Sequence, residues 1–224
     1  MKKKYLFVEF VIILIFLIFP PICVGKIEAG NMAVAGGGSF YTQIVLRSLI
    51  AIALHLQYSF FIAKEKDGDK KTENFKRFLL GLAWWAITLG LLMISEAFFT
   101  ALSILFKIEG NGINFIPKGS AEIGACISNI FVGAVYEEAV YREFLPETLS
   151  GLTEKKRLEI PMELICVTLF ALAHRYLGLM AVLNAFVCGI ILRLCYKKSG
   201  DIWAGIHAHI IYNSIQLLFL IFSS

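Results

Sequence analysis

The sequence predicts an all-α, polytopic membrane protein, a transmembrane helical bundle of about seven spans with its N-terminus in the cytoplasm. Of its 224 residues, 58% are hydrophobic and only 17% are charged, whereas soluble domains carry about 25% charged residues. The apolar residues gather in runs of about 20, the number that a helix needs to cross a bilayer core of about 30 Å. The net charge is only +4, and the basic residues lie in short clusters between the apolar runs. Both observations argue against nucleic-acid binding.

Seven apolar segments give this number of spans, and helices are expected because only they satisfy all backbone polar groups within one segment. The segments are Tyr5–Val24, Ser39–Ala63, Phe78–Phe106, Ala121–Leu149, Pro161–Leu177, Gly178–Tyr196 and Asp201–Phe222. The first follows three lysines and also fits a secretory signal peptide, but Glu9 interrupts its apolar run. We therefore expect a retained helix.

Basic residues predict the orientation of these spans. Most of them fall on one side if the spans alternate, in the stretches Lys2–Lys4, Lys64–Arg77, Lys155–Arg157 and Lys197–Lys198. Because short cytoplasmic loops are enriched in Lys and Arg, this side is predicted to be the cytoplasm. The lysine-rich start and the compact length suggest a bacterial chain, which we expect in the plasma membrane as a multi-pass protein.

Ionisable side chains inside a span are costly and usually functional, and most of those in this chain fall in its C-terminal half. They are Glu137, Glu138 and Arg142 in the fourth span, His174 in the fifth, and His209 with Asn213 one turn later in the seventh. Counting about 1.5 Å per residue from the cytoplasmic ends places Glu137, His174 and His209 at similar depths near mid-membrane. One carboxylate, two imidazoles and one amide are therefore predicted to meet there.

This set of side chains suits the activation of a water molecule. A desolvated glutamate can act as a general base, and a neighbouring histidine can hold the same water. A second histidine and an asparagine are donors suited to an oxyanion. A Glu-His-His set would also suit a zinc ion, although the HExxH motif is absent. Metal dependence stays open, and Glu137, His174 and His209 would be the ligands if a metal is bound.

The other polar residues of the spans have plainer interpretations. Glu138 and Arg142 are four residues apart and predict a buried ion pair. Three residues near the cytoplasmic ends are expected to snorkel or to be solvated: Glu143, Glu147 and Arg193. Four residues are isolated in their spans, and helix pairing or cavity lining explains them as well as chemistry does: Glu9, Arg47, His55 and Glu96. His207 points away from His209 around the helix and is expected to be a packing or interfacial histidine.

Three motifs stand in order along the C-terminal half: EExxxR, FxxxH and HxxxN. They are Glu137-Glu138-Ala-Val-Tyr-Arg142, Phe170-Ala-Leu-Ala-His174 and His209-Ile-Ile-Tyr-Asn213. With these motifs, residues 120–215 resemble the CPBP intramembrane proteases. That family includes the type II CAAX prenyl endopeptidases and the bacteriocin-processing or self-immunity proteins.

The resemblance implies roles for the motif residues. Glu137 would activate the water and His174 would help to position it. The tetrahedral oxyanion would be stabilised by His209 and Asn213. The supporting residues would be Glu138, Arg142 and Phe170. On this basis the chain divides into N-terminal spans of unassigned role, residues 1–119, and a catalytic helical core, residues 120–224.

We therefore expect an intramembrane endopeptidase that hydrolyses peptide bonds of membrane-associated protein or peptide substrates. One alternative is a non-catalytic membrane scaffold or bacteriocin-immunity protein of the same fold. Another is a proton-coupled transporter, since intramembrane Glu and His residues also form proton relays. A transporter would predict an inverted repeat with broken helices, and the sequence shows no such repeat.

Overall fold

The computed structural model describes residues 3–23, 38–58, 74–108, 117, 119–153 and 156–222. Within these residues the chain is 94% helical and contains no strand. The predicted all-α bundle is therefore confirmed. Five of the described helices are long and apolar enough to cross a membrane, which makes this chain a multi-pass membrane protein.

Each of the seven predicted spans corresponds to one helix in the described part of the chain, and residues 59–63 of the second predicted span lie outside that part. Their bounds are α1 Lys3–Cys23, α2 Gly38–Gln57, α3 Asn74–Leu105, α4 Ser120–Thr153, α5 Glu159–Leu172, α6 Leu179–Ser199 and α7 Ile202–Phe222. All except α2 and α5 meet the length and apolarity of a full span.

Helix α5 is shorter than the predicted fifth span. It has 14 residues, which extend about 21 Å at about 1.5 Å per residue and fall short of the bilayer core. The chain leaves α5 through a short 3₁₀ turn, Arg175–Leu177, and then Gly178 with φ 103°. Only glycine adopts such a φ readily, so this turn ends α5 near His174. Helix α2 has 20 residues, but Arg47 near its middle lowers its apolarity.

Helix α4 contains a π-helical segment, Ala139–Phe144, directly after the two motif glutamates. Pro146 follows this segment and has no N–H group to donate to the carbonyl of Arg142, four residues earlier. Arg193 of α6 supplies a donor instead, because its Nη1 lies 2.5 Å from that carbonyl oxygen. The irregular turn is therefore tied to a neighbouring helix at the level of the motif.

The helices pack around α4, α6 and α7. Helix α3 lies against both α6 and α7, and they share a core of Leu92, Cys188, Leu192 and Ala208. Helix α7 also packs on α4, α5 packs on α6, and α1 and α2 lie against α4. At Gly189 of α6, an added Cβ would lie 3.0 Å from Val167, so α5 and α6 approach closely there. The motif-bearing helices therefore meet at the centre of the bundle.

Candidate active site

Four side chains of α4 and α7 form one charged group, the His209 cluster: Glu137, Glu138, Arg142 and His209. The Nδ1–H group of His209 donates to Glu138 Oε1 at 3.0 Å, and His209 Nε2 lies 3.8 Å from Glu137 Oε2. Each ring nitrogen of His209 thus faces a different carboxylate. The three motif residues of α4 occupy the junction between its regular helix and its π-helical segment.

The two neighbouring glutamates differ in their exposure. The Glu138 side chain is 1% exposed, whereas that of Glu137 is 28% exposed. Successive residues of a helix point about 100° apart, so α7 covers one carboxylate and leaves the other open. Glu137 is therefore the carboxylate of this pair that a water molecule or a substrate can reach.

Arg142 neutralises the buried Glu138. Its Nε lies 3.4 Å from Glu138 Oε2, and both side chains are almost fully buried. Its guanidinium lies 4.0 Å from the centre of the Phe170 ring, at a distance typical of cation–π contacts. Within the described residues, Nε and Nη2 of Arg142 meet no hydrogen-bond acceptor of good geometry. Charge attraction and the aromatic face hold this arginine, as the predicted ion pair requires.

Phe170 connects His174 to this cluster. The two rings are 4.7 Å apart between centroids, and His174 Nδ1–H donates to the Phe170 carbonyl at 2.9 Å. With Nδ1 carrying the proton, Nε2 of a neutral His174 is left as an acceptor. The part of the chain that the structure describes contains no hydrogen bond from His174 to Glu137 or His209, so the phenylalanine links them instead.

Asn213 lies one helical turn beyond His209 on the same side of α7, as predicted. It is half-buried, and the structure gives its amide no hydrogen bond to another described residue. Its donors therefore stay available for a bound group. The structure thus brings Glu137, Glu138, Arg142 and His209 together directly. Among the described residues, His174 reaches this cluster through Phe170, and Asn213 lies one turn from His209 without a hydrogen bond to it.

The predicted metal ligands do not form a metal site in this arrangement. In the described ranges, no group of three or more His, Cys, Asp or Glu side chains is arranged to hold a metal ion. Glu137 and His209 are close, and His174 keeps its Nε2 free while its Nδ1–H serves the Phe170 carbonyl. A zinc ion held by all three residues would need these side chains to lie closer together than they do in this structure.

Two expectations for residues near the predicted cytoplasmic ends are wrong. Glu143 is buried rather than solvated, and it bonds to His55 of α2 at 2.9 Å. Arg193 is also buried and forms a two-pronged ion pair with Glu163 at 2.6 and 2.7 Å. Glu147 is 17% exposed and lies 3.6 Å from Arg193. Charges removed from water require partners, and these partners lie on other helices.

Residues that looked isolated in the sequence also have partners across helices. Glu9 accepts a hydrogen bond from Gln57 at 2.7 Å, and the Arg47 guanidinium lies 5.8 Å from the Tyr136 ring centre. Glu96 accepts hydrogen bonds from Asn184 and Tyr212. The sequence did carry a signal for these contacts, because a charged residue inside a span is costly unless it has a partner. His207 is exposed and donates to the carbonyl of Trp203 at 2.7 Å, consistent with the packing or interfacial interpretation.

Comparison with known proteins assigns the segment that contains the three motifs. Residues 119–215 match the family of type II CAAX prenyl endopeptidase Rce1-like proteins. The resemblance predicted from the motifs is therefore confirmed over this Rce1-like segment, which is just under half of the chain. The matched family is a protease family. The segment contains α4, α5, α6 and most of α7, whereas α1, α2 and α3 lie outside it.

A curated relative is an uncharacterized protein of Treponema pallidum (strain Nichols). It is 35% identical over 89 residues, which are 38% of this chain and 49% of the relative. The alignment thus spans about half the length of that relative. No solved structure matches the chain.

Proposed function

We propose that this chain is an intramembrane endopeptidase that hydrolyses peptide bonds of membrane-associated proteins or peptides, in the plasma membrane. The Rce1-like segment supports a protease of this general kind. The observation that carries the proposal is the geometry of the His209 cluster. One histidine is held by a buried carboxylate at 3.0 Å and faces a second, accessible carboxylate at 3.8 Å.

In this proposal Glu137 is the general base. A water molecule beside its carboxylate loses a proton to it while the water oxygen forms a bond to the scissile carbonyl carbon. His174 would help to hold the same water, because its Nε2 is free to accept a hydrogen bond while Nδ1–H serves the Phe170 carbonyl. The electron pair of the carbonyl double bond moves onto the carbonyl oxygen, which becomes an oxyanion.

Donors on α7 would stabilise that oxyanion. When both nitrogens of His209 carry protons, Nδ1–H serves Glu138 and Nε2–H can donate to the substrate. The Asn213 amide, one turn away, would provide a second donor. Such donors act strongly in a site from which water is largely excluded. Glu138 and Arg142 would keep the imidazole oriented through their buried ion pair.

The reaction ends when the tetrahedral intermediate collapses. The oxyanion reforms the carbonyl double bond, the bond between carbon and the peptide nitrogen breaks, and the nitrogen takes the proton that Glu137 received from the water. The products are a new carboxyl terminus and a new amino terminus. Glu137 returns to its starting state as a carboxylate, so its partial exposure is needed in both steps.

New protein N-termini in cell membranes test this proposal. Membranes from cells that make the wild type are compared with membranes that contain Glu137→Gln at equal abundance. We expect a set of N-termini that occurs only with the wild type. Glu122→Gln serves as the matched control, because it removes a carboxylate from the first turn of the same helix and should leave that set unchanged.

The alternatives predict different outcomes. A non-catalytic scaffold or immunity protein would keep its cell phenotype in Glu137→Gln, and the N-terminal profiles would be identical. A proton-coupled transporter would also give identical profiles, but Glu137→Gln would abolish substrate uptake driven by a proton gradient. Either result, with both proteins folded, would rule out the protease.

A further inference from the structure

A second polar cluster lies where α3 meets α6 and α7. The Glu96 cluster consists of Ser95, Glu96, Asn184 and Tyr212. The Tyr212 hydroxyl donates to Glu96 Oε2 at 2.8 Å, and Asn184 Nδ2 donates to the same oxygen at 2.6 Å. The Ser95 hydroxyl donates to Asn184 Oδ1 at 2.6 Å. One carboxylate oxygen of α3, a helix outside the Rce1-like segment, therefore holds both α6 and α7.

The Glu96 cluster costs free energy, although the helices that it joins already pack together through apolar contacts. A carboxylate inside a span costs more than one hydrogen bond between membrane helices returns. The apolar core of Leu92, Leu192 and Ala208 already holds the same three helices. The cluster, in which Ser95 and Asn184 are buried and Glu96 is half-buried, is better explained by the geometry that it fixes than by added stability.

The geometry that the cluster fixes is the rotation of α7. Tyr212 is the neighbour of Asn213 and lies three residues after His209, so its side chain points about 60° from that histidine around the helix. On the other side of His209, Gly205 packs against the site, because an added Cβ would lie 3.1 Å from Glu138 Oε2. Helix α7 is thus held at two levels, one on each side of His209.

If the contact between Tyr212 and Glu96 were lost, a small rotation of α7 would disturb the site. Side chains lie about 5–6 Å from a helix axis, so a turn of about 20° moves the His209 ring by about 2 Å. The His209–Glu138 hydrogen bond is 3.0 Å long and would not survive that movement. A misplacement of about 1 Å can lower the rate of an enzyme about 100-fold.

We infer that Glu96 is a positioning residue that acts through Tyr212 to set the rotation of α7 and so the contact between His209 and Glu138. The consequence of this positioning for catalysis rests on the proposed protease function. The effect of Glu96 on the position of the His209 ring is independent of that function. The inference assigns to α3 a part in a site whose motif residues lie on α4, on α5 and the turn directly after it, and on α7.

Histidine NMR on the full chain in lipid nanodiscs tests this inference without a substrate. The chain has four histidines, and the spectrum of His209→Gln identifies the signals of His209. We expect Glu96→Gln and Tyr212→Phe each to shift the Nδ1–H signal of His209. The signal of His55, which bonds to Glu143 at 2.9 Å, should stay in place as an internal reference.

Thr100→Val is the matched control. The Thr100 hydroxyl donates to the other oxygen of Glu96 at 3.3 Å and belongs to the same helix as Glu96, so its loss should leave the His209 signal unchanged. Tyr212→Phe removes a single oxygen and keeps the ring, which makes it the milder of the two test variants. Thermal unfolding in detergent identifies any variant that no longer folds.

Activity supplies the second readout. Glu96→Gln and Tyr212→Phe are each expected to lower kcat about tenfold with KM unchanged, and the double variant to be no slower than the slower single variant. An unchanged His209 signal in folded Tyr212→Phe would overturn the inference. A shifted signal in a protein whose wild type cleaves nothing would support the positioning role and contradict the proposed protease.

Discussion

The His209 cluster and the Glu96 cluster both place a carboxylate between helices inside the bundle, but they use it differently. Glu96 accepts hydrogen bonds from Asn184 and Tyr212 on one oxygen and from Thr100 on the other. Both oxygens of Glu138 are engaged too, one by a hydrogen bond from His209 and the other by the ion pair with Arg142. Glu137 is the exception, because the nearest His209 nitrogen lies 3.8 Å from its carboxylate and 28% of its side chain is exposed.

This difference separates a carboxylate that holds helices from one that is available for chemistry. A carboxylate whose oxygens are already engaged fixes helix positions and has little capacity to bind a water proton. A general base must reach the proton that it removes, and Glu137 is placed to do so. The comparison therefore predicts different effects when each group is altered, which the following experiments measure.

Among the groups around Glu137, the largest effect is expected for His209→Gln compared with His207→Gln. The two histidines are two residues apart on α7, but His209 contacts both glutamates whereas His207 is exposed and bonds to the Trp203 carbonyl. Removing an oxyanion donor lowers kcat about 10²–10³-fold. We expect that loss for His209→Gln and less than a twofold change for His207→Gln, measured as the cleavage rate in vesicles. Equal losses would show that the cluster is not the site.

Loss of stability is expected when Arg142 is removed from the buried Glu138–Arg142 ion pair. Arg142→Gln leaves the Glu138 carboxylate without its cationic partner in a buried position. Removing one member of a buried ion pair typically costs about 3–5 kcal/mol. Thermal unfolding in detergent should therefore show a lower Tm for Arg142→Gln than for Glu137→Gln. A Tm equal to that of the wild type would mean that Glu138 is not held by this arginine.

A smaller effect is expected where α7 approaches Glu138. Gly205→Ala adds a Cβ 3.1 Å from Glu138 Oε2, so that carboxylate must shift by a few tenths of an ångström. We expect kcat to fall about tenfold with little change in Tm. Gly133→Ala on α4 is the matched control, since nothing lies within 4 Å of its added Cβ. Equal rates for both variants would show that the contact at Gly205 does not matter.

The smallest effect is expected from chelation. The predicted ligands Glu137, His174 and His209 do not come together as a metal-binding group in the part of the chain that the structure describes. Dialysis against a strong chelator should therefore change the cleavage rate less than twofold. A loss of activity that zinc restores would show that the three side chains come together to hold a metal ion.

The fold and the residues of the His209 cluster were predictable from the sequence. Apolar runs of span length predict the helices, and the i, i+4 spacing predicts that Glu138 meets Arg142. The family motifs then distinguished Glu137 and His209 from other polar residues. These features depend on a single helix or on a short motif, so one sequence is enough to recognise them.

Contacts between distant helices were not predictable in the same way. Arg193 reaches the carbonyl that Pro146 leaves without a donor, and Glu96 meets Tyr212 of α7. These pairings depend on the rotation and tilt of each helix, which the spacing of apolar residues does not fix. The proline and the intramembrane carboxylate were visible signals that a partner was needed, but they did not say which residue it was.

The most direct measurement of the central claim is a single-turnover cleavage assay in ¹⁸O-labelled water. The purified protein in vesicles is given a peptide that spans a junction found in the membrane N-termini. The account predicts that the wild type places one ¹⁸O atom in the new carboxyl group and that Glu137→Gln is slower by about 10²–10⁴-fold, the usual contribution of a general base. A folded Glu137→Gln that cleaves the same bond within threefold of the wild-type rate would contradict it.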